Sequence, residues 1–394
     1  MDKTETAILE LVRSGLLGNK CDSDLQIDWS KLYSVSFRQG ILGIVYGAIK
    51  QSDLQVPAEF LRLFQVEALK NVRTDYYQRT EIQALLSAFE KAGIRYIPLK
   101  GIILKNLYPK PEYRWMSDAD ILIDENQLDQ IQPVMKSLGY AYIEHMPHEL
   151  TWEKGKDFIV ELHTLALHPQ KKQMDEYFKD PFLLADQVND VRYQYNANDM
   201  LLYAICHLSK HFIYDLGNLR NIIDIYYLLQ DPSLDLSYVN QKLQEWKLDE
   251  FFDLVQRTVN DWFQGKELDE TSELFLSNVM NKTKAFEEAW GAVSRLIKNG
   301  ANQKKNSKGW KIRYFFSSVF LPYNVMKRKY TILEKLPVLL PFVWVWRIVH
   351  GVLFDRKHVK NYVDASFKNS DASMEQYMKL ATAVGLQEML KLEE

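Results

Sequence analysis

Two aspartates one residue apart, Asp118 and Asp120, stand at the head of the apolar run Ile121-Leu122-Ile123. On a strand, side chains at i and i+2 share a face, so the two carboxylates sit side by side. Such a pair suits a divalent cation that keeps oxygen ligands and binds phosphates. Carboxylates leading into a buried strand also need a cation or hydrogen bonds to offset their burial. A third acid, Glu161, lies within Ile159-Val160-Glu161-Leu162-His163, where alternation puts Glu161 and His163 on one face. In a two-ion arrangement Asp118 and Asp120 hold both ions, and Glu161 holds the catalytic one. Glu161 is also placed to act as general base towards an acceptor hydroxyl.

Phosphate contacts are expected from Lys100, Gly101, Arg114 and His163. The apolar run Ile94–Leu99 meets Lys100-Gly101, where glycine lets the backbone approach a ligand and the helix it opens aims N–H groups at an anion. Lys100 stands at the mouth of that cradle. Arg114 precedes Asp118 by four residues, and a planar guanidinium suits bidentate phosphate contact. His163 shares the face of Glu161, within reach of substrate or a metal-bound water.

These residues need a sheet to hold them, and the pattern supplies one between helical flanks. Residues 1–92 read as helical: a stripe through Ile8, Leu9, Leu11, Val12 and Leu16, a second region from Trp29 to Ala48, and a third helix starting after Pro57. Leu61 to Phe89 continue that helix to Lys91, and Ala92-Gly93 stops it. From 94 to about 165 the pattern is mixed: strand Ile94–Leu99, helix Ile102–Leu107, strand Ala119–Ile123, helix Gln127–Leu138, an extended piece from Gly139, and a hairpin over Glu149–His163 turning at Lys154-Gly155-Lys156. Residues 174–290 return to helical periodicity. The predicted fold class is therefore α+β, a small mixed sheet embedded between helical regions. Its expected divisions are 1–92, 93–170, 171–295 and 296–394.

Composition narrows the function classes. The chain has 394 residues, 47% hydrophobic and 26% charged, with a net charge of −3, so nothing draws it wholesale to nucleic acid. Two cysteines, Cys21 and Cys206, exclude a disulfide framework and fit a reducing compartment. The N-terminus reads as an amphipathic helix without a secretory signal, and a cytoplasmic location is expected. Leu336–Phe354 is the longest apolar stretch, but Pro337, Pro341, Arg347 and His350 interrupt it, which argues against a transmembrane helix. The wider stretch 310–354 carries Trp310, Tyr314, Phe315, Phe316, Phe320, Trp344 and Trp346 beside basic residues. Packing as a helical core is favoured there over peripheral membrane contact.

Taken together, Leu99-Lys100-Gly101, Tyr108-Pro109, Arg114-Trp115-Met116-Ser117-Asp118-Ala119-Asp120 and Val160-Glu161-Leu162-His163 resemble an uncharacterised bacterial nucleotidyltransferase family of the polymerase-β-like superfamily. The later His207…Lys210-His211…Leu219-Arg220…Asp224 segment resembles that family's helix pair. The resemblance runs from about 90 to 230. It implies transfer of a nucleotidyl group from a Mg²⁺-bound nucleoside triphosphate to an acceptor hydroxyl, whether on a small molecule, a glycan precursor, a protein side chain or an RNA end. Lys100-Gly101 stands where the superfamily commonly has Gly-Ser, and Glu161 where aspartate is common. His207 and His211, at i and i+4, have zinc-ligand spacing without supporting ligands, and with Lys210 and Arg220 are candidates for lining the cleft. Asp224 is expected to pair with Arg220. Two other functions stay open: a catalytically silent scaffold keeping the fold, and a toxin-like nucleotidyltransferase acting on tRNA through a basic groove from Lys298 to Arg313.

Overall fold

The structure, a computed structural model, describes residues 1–146, 148–155, 158–167, 171–282, 320, 323, 326, 330, 332–354 and 371–390. The chain forms two compact units, one of Met1–Phe212 with Leu216–Asn281, the other of Ile213–Asp215 with Lys282–Glu394. The first unit is α+β, as expected.

Four helices precede the sheet. Helix α1 (Lys3–Leu17) starts with a capping box: the Asp2 carboxylate accepts from the Thr4 and Glu5 amides, and Glu5 accepts from the Asp2 amide. The expected helical region from Trp29 to Ala48 is two helices, α2 (Trp29–Arg38) and α3 (Leu42–Gln51). Gly40 separates them with φ of 66°, a left-handed conformation that breaks a helix. After Pro57, α4 (Ala58–Lys91) runs for 34 residues and stops at Ala92-Gly93, with Gly93 at φ 69°.

The sheet has five strands: β1 (Tyr96–Pro98), β2 (Asp118–Ile123), β3 (Ala141–Met146), β4 (Glu149–Lys154) and β5 (Phe158–His163), in the spatial order β1-β2-β5-β4-β3. Only the β2–β5 pairing is parallel. Between β1 and β2 lies the short helix α5 (Gly101–Leu104), continued by a 3₁₀ turn to Leu107, and between β2 and β3 lies α6 (Leu128–Ser137). Period-two alternation splits the sheet into an apolar and a polar face. Ala119, Ile121, Ile123, Val160, Leu162, Leu150 and Trp152 turn to one core, packed against Ile82, Leu85 and Phe89 of α4 and Ile131 and Met135 of α6. The acids of β2 and β5 are left on the opposite face.

Helix α9 (Ala197–Asp215) lies over that second face, and α7 (Lys172–Tyr177), α8 (Pro181–Leu184), α10 (Leu219–Leu228), α11 (Leu236–Glu245), α12 (Asp249–Gln264) and α13 (Glu270–Asn281) complete the helical part. A two-residue hairpin, β6 (Asp186–Gln187) with β7 (Tyr193–Gln194), interrupts them. It is too short for sequence alternation to reveal. In the second unit the described helices are Ile332–Lys335, Leu340–Phe354 and Asp371–Ala383. The stretch from Lys298 to Arg313, and Trp310, Tyr314, Phe315 and Phe316, lie outside the described residues. No helix among the described residues is long and apolar enough to cross a membrane.

Candidate active site

The parallel register of β2 and β5 builds the site. It sets Asp118 opposite Ile159, Asp120 opposite Glu161 and Leu122 opposite His163. Strand β4 adds Glu149 opposite His163. Asp118, Asp120, Glu161, His163 and Glu149 therefore share the polar face, where helix α9 brings Tyr203, His207, Lys210 and His211. Between them lies a cavity of about 210 Å³, lined by Asp118, Glu149, Glu161 and His163 of the sheet, by Lys100 beside them, and by Tyr203, His207, Lys210 and His211 of α9.

Asp120 is the buried hub, only 3% exposed. Its Oδ1 accepts from Lys100 Nζ at 2.7 Å and lies 2.9 Å from His163 Nε2. Burial opposes its charge, but Lys100 and His163 outweigh that and hold the carboxyl well below the usual carboxylate range. Burial likewise works against the Lys100 ammonium, yet the Asp120 carboxylate prevails and keeps it protonated. Lys100 has φ 40° and ψ −115°, a strained conformation for a residue with a side chain. That strain sits where the strand turns into α5 and delivers the ammonium to Asp120. Asp118 is half-buried, and its Oδ1 accepts from the Ser117 hydroxyl at 3.0 Å.

Glu161 is in the opposite condition. Burial first, then the charges of Asp118, Asp120 and Glu149, push its carboxyl up to about 8 from an ordinary 4.5. In the metal-free protein the folded state keeps a proton that the unfolded chain releases near 4.5. This group's contribution to stability is therefore full below pH 4.5 and is lost as pH rises through about 8. Glu161→Gln should flatten the stability profile over that window and exceed wild type in stability above it. Urea unfolding in the presence of a chelator, from roughly pH 5 to 9, reads this out. Identical slopes in the two proteins would disprove it.

The side chains fit a hard divalent cation. Ligand atoms of Asp120, Glu161 and His163 all lie within 4.8 Å of one another, and the Asp118 carboxylate is on the same face. Two or three carboxylate oxygens in one half-buried site are the donors that Mg²⁺ or Mn²⁺ takes. His163 is set among anions: besides Asp120, its Nε2 lies 3.7 Å from Glu161 Oε2 and its Nδ1 3.8 Å from Glu149 Oε2. The sequence assigned His163 to phosphate, whereas the structure gives it carboxylate neighbours. On the opposite wall, the Nε2 atoms of His207 and His211 lie 3.1 Å apart. Burial, then Lys100 and His211, hold His207 far below the ordinary imidazole range, so it stays neutral. The two rings bond each other in the cavity wall, where both were candidates for lining the cleft.

Two sequence assignments to phosphate are placed elsewhere. Arg114 is buried, with Nε and Nη2 donating to the two Asp224 oxygens at 2.8 and 2.6 Å, and the Tyr108 hydroxyl donates to the same carboxylate at 2.8 Å. Its guanidinium is thus committed to Asp224. Asp224, expected to pair with Arg220, pairs with Arg114 instead, while Arg220 Nη1 donates to the Trp115 carbonyl at 2.7 Å. Gly101 is glycine for packing: a Cβ there would come within 2.5 Å of Met116 Sδ and 2.9 Å of Arg114 Nη1. The contribution of these groups is to position the segment before β2. Arg114 is clamped by Asp224, the Trp115 carbonyl by Arg220, and the Met116 carbonyl by Gln78 Nε2 at 2.9 Å.

Lys100, Asp118, Asp120, Glu161 and His163 are thus brought together, and Arg114 and Gly101 stand behind them. Glu149 and Tyr203 are cavity residues that sequence reasoning missed. Alternation along β4 puts Glu149, Thr151 and Glu153 on one face, and counting the hairpin register back from Gly155 would have found Glu149.

A family described as "Uncharacterised nucleotidyltransferase" matches residues 26–264. No curated protein and no solved structure matches the chain.

Proposed function

Because the chain belongs to the uncharacterised nucleotidyltransferase family, we propose that the acidic face of its sheet transfers a nucleotidyl group from a Mg²⁺-bound nucleoside triphosphate to an acceptor hydroxyl. The observation that carries this reading is the β2–β5 register, which sets Asp120 beside Glu161 with Asp118 on the same face. Asp118, Asp120 and Glu161 would hold the metal, and the polymerase-β-like relationship that the motifs suggest is part of the same proposal. When bound, the ion supplies positive charge that polarises the α-phosphate and steadies the departing pyrophosphate.

The chain's own residues do the rest. Lys100 is fixed by Asp120 with its ammonium protonated, and it meets the phosphate oxygens at the cavity wall. Lys210 and His211 line the same cavity from α9 and would face the triphosphate, with neutral His207 bonded to His211. Glu161 holds a proton because burial and the carboxylates of Asp118, Asp120 and Glu149 outweigh Lys100, and added positive charge on the acidic face would ionise it. Ionised, it takes the acceptor hydroxyl's proton as that oxygen bonds the α-phosphorus and the bond to pyrophosphate breaks.

Thermal unfolding with each nucleoside triphosphate, with and without Mg²⁺, tests the proposal. A nucleotide at about 100 times its Kd should add roughly 2.7 kcal/mol of stability, only with Mg²⁺ and not in Asp118→Asn. A shift with one base alone would identify the donor. No shift with any nucleotide would move the assignment to a silent scaffold. The toxin-like tRNA alternative has no observation favouring it, since its basic groove lies outside the described residues.

A further inference from the structure

The helix Leu340–Phe354 carries no acidic residue and only Arg347 and His350 as basic ones. Phe342, Val345, Trp346, Val349 and Leu353 stand at i, i+3, i+4, i+7 and i+11, which places them on a single helical stripe. All five are exposed, Phe342 by 72% and Trp346 by 59%. Before this helix, Ile332, Leu336 and Val338 are exposed as well. Composition favours core packing for this stretch, but its described part turns a continuous apolar stripe outward, and such patches mark contact surfaces.

Charge tells what the contact is made with. Between residues 296 and 360 the sequence has fourteen Lys and Arg against only Glu334 and Asp355, in a chain whose net charge is −3. An apolar, Trp-bearing stripe in so basic a stretch complements a surface that is apolar inside and anionic outside. The described helix of 15 residues is ~22 Å long, short of the ~30 Å hydrocarbon core, and no helix among the described residues is long and apolar enough to span. We infer that this helix docks the protein peripherally on an anionic lipid bilayer, lying in the interface with Phe342, Trp346 and Val349 in the acyl boundary, and that the basic excess of the sequence around it supplies the attraction to anionic headgroups.

Flotation of the full chain with vesicles tests this, comparing phosphatidylcholine alone with phosphatidylcholine containing phosphatidylglycerol. Wild type should float with the anionic vesicles at low salt, much less with the neutral ones, and release as salt rises. Phe342→Glu/Trp346→Glu changes exposed residues, so circular dichroism should be unaltered, while the partition coefficient should fall by at least about tenfold. Failure of wild type to float, or unaltered flotation of the folded variant, would overturn the inference. So would concentration-dependent self-association without flotation that the variant abolishes, which would assign the stripe to a second copy of the chain. None of these readouts depends on nucleotide transfer.

Discussion

Asp118→Asn should cut nucleotidyl transfer by about three orders of magnitude, an activation cost of roughly 4 kcal/mol, and leave stability within about 0.5 kcal/mol of wild type. Both halves follow from where Asp118 sits. Asparagine is nearly isosteric and retains an oxygen for the Ser117 hydroxyl, the one bond the structure gives this side chain. The half-buried position tolerates the amide without a void. What is lost is a negative charge on the face where a metal-bound triphosphate would sit. Asp120→Asn differs in kind, because Lys100 and His163 both converge on Asp120 Oδ1, so stability and turnover should fall together. Turnover per folded molecule, with urea midpoints of the same preparations, separates the two. Unchanged turnover in Asp118→Asn would remove Asp118 from the metal site.

The contrast between these neighbours shows what the sequence conveyed. Two acids at i and i+2 before Ile-Leu-Ile, and one acid in an alternating strand, are period-two signals that survive without coordinates. The chain duly sets Asp118, Asp120 and Glu161 on one face. The long α4, opened after Pro57 and closed at Gly93, was equally legible because its start and stop are local. Arg114 was not. Its spacing from Asp118 suggested phosphate, but its partner lies 110 residues away, and local pattern is silent about which distant carboxylate claims a guanidinium. Gly101 misled for a similar reason: the atoms a Cβ would strike belong to Met116 and Arg114, so the need for glycine arises from tertiary packing. Glu149 needed the register of a hairpin, and Tyr203 needed α9 laid across the sheet, whereas His207, Lys210 and His211 were already candidates for the cleft and do line the cavity.

The same distant pairing yields the largest expected stability effect. Asp224→Ala should destabilise the first compact unit by about 3–5 kcal/mol, because it strands a buried guanidinium. Arg114 and Asp224 are each nearly inaccessible, at 5% and 4% side-chain exposure, and are joined by two hydrogen bonds. The Tyr108 hydroxyl loses its carboxylate partner as well. Desolvation of both charges means that the intact pair itself adds less than its geometry suggests. Arg114→Met/Asp224→Ala should therefore recover part of the single-variant loss, giving strong non-additivity in a double-mutant cycle. Urea unfolding of the four proteins measures this, and the Asp224→Ala midpoint temperature should drop by on the order of 10 °C. If Arg114 served phosphate instead, Arg114→Met would spare stability and weaken nucleotide binding alone. The clamp predicts that Arg114→Met unfolds easily, and that its folded fraction also turns over slowly, since Arg114 anchors the segment that delivers Asp118 to the sheet.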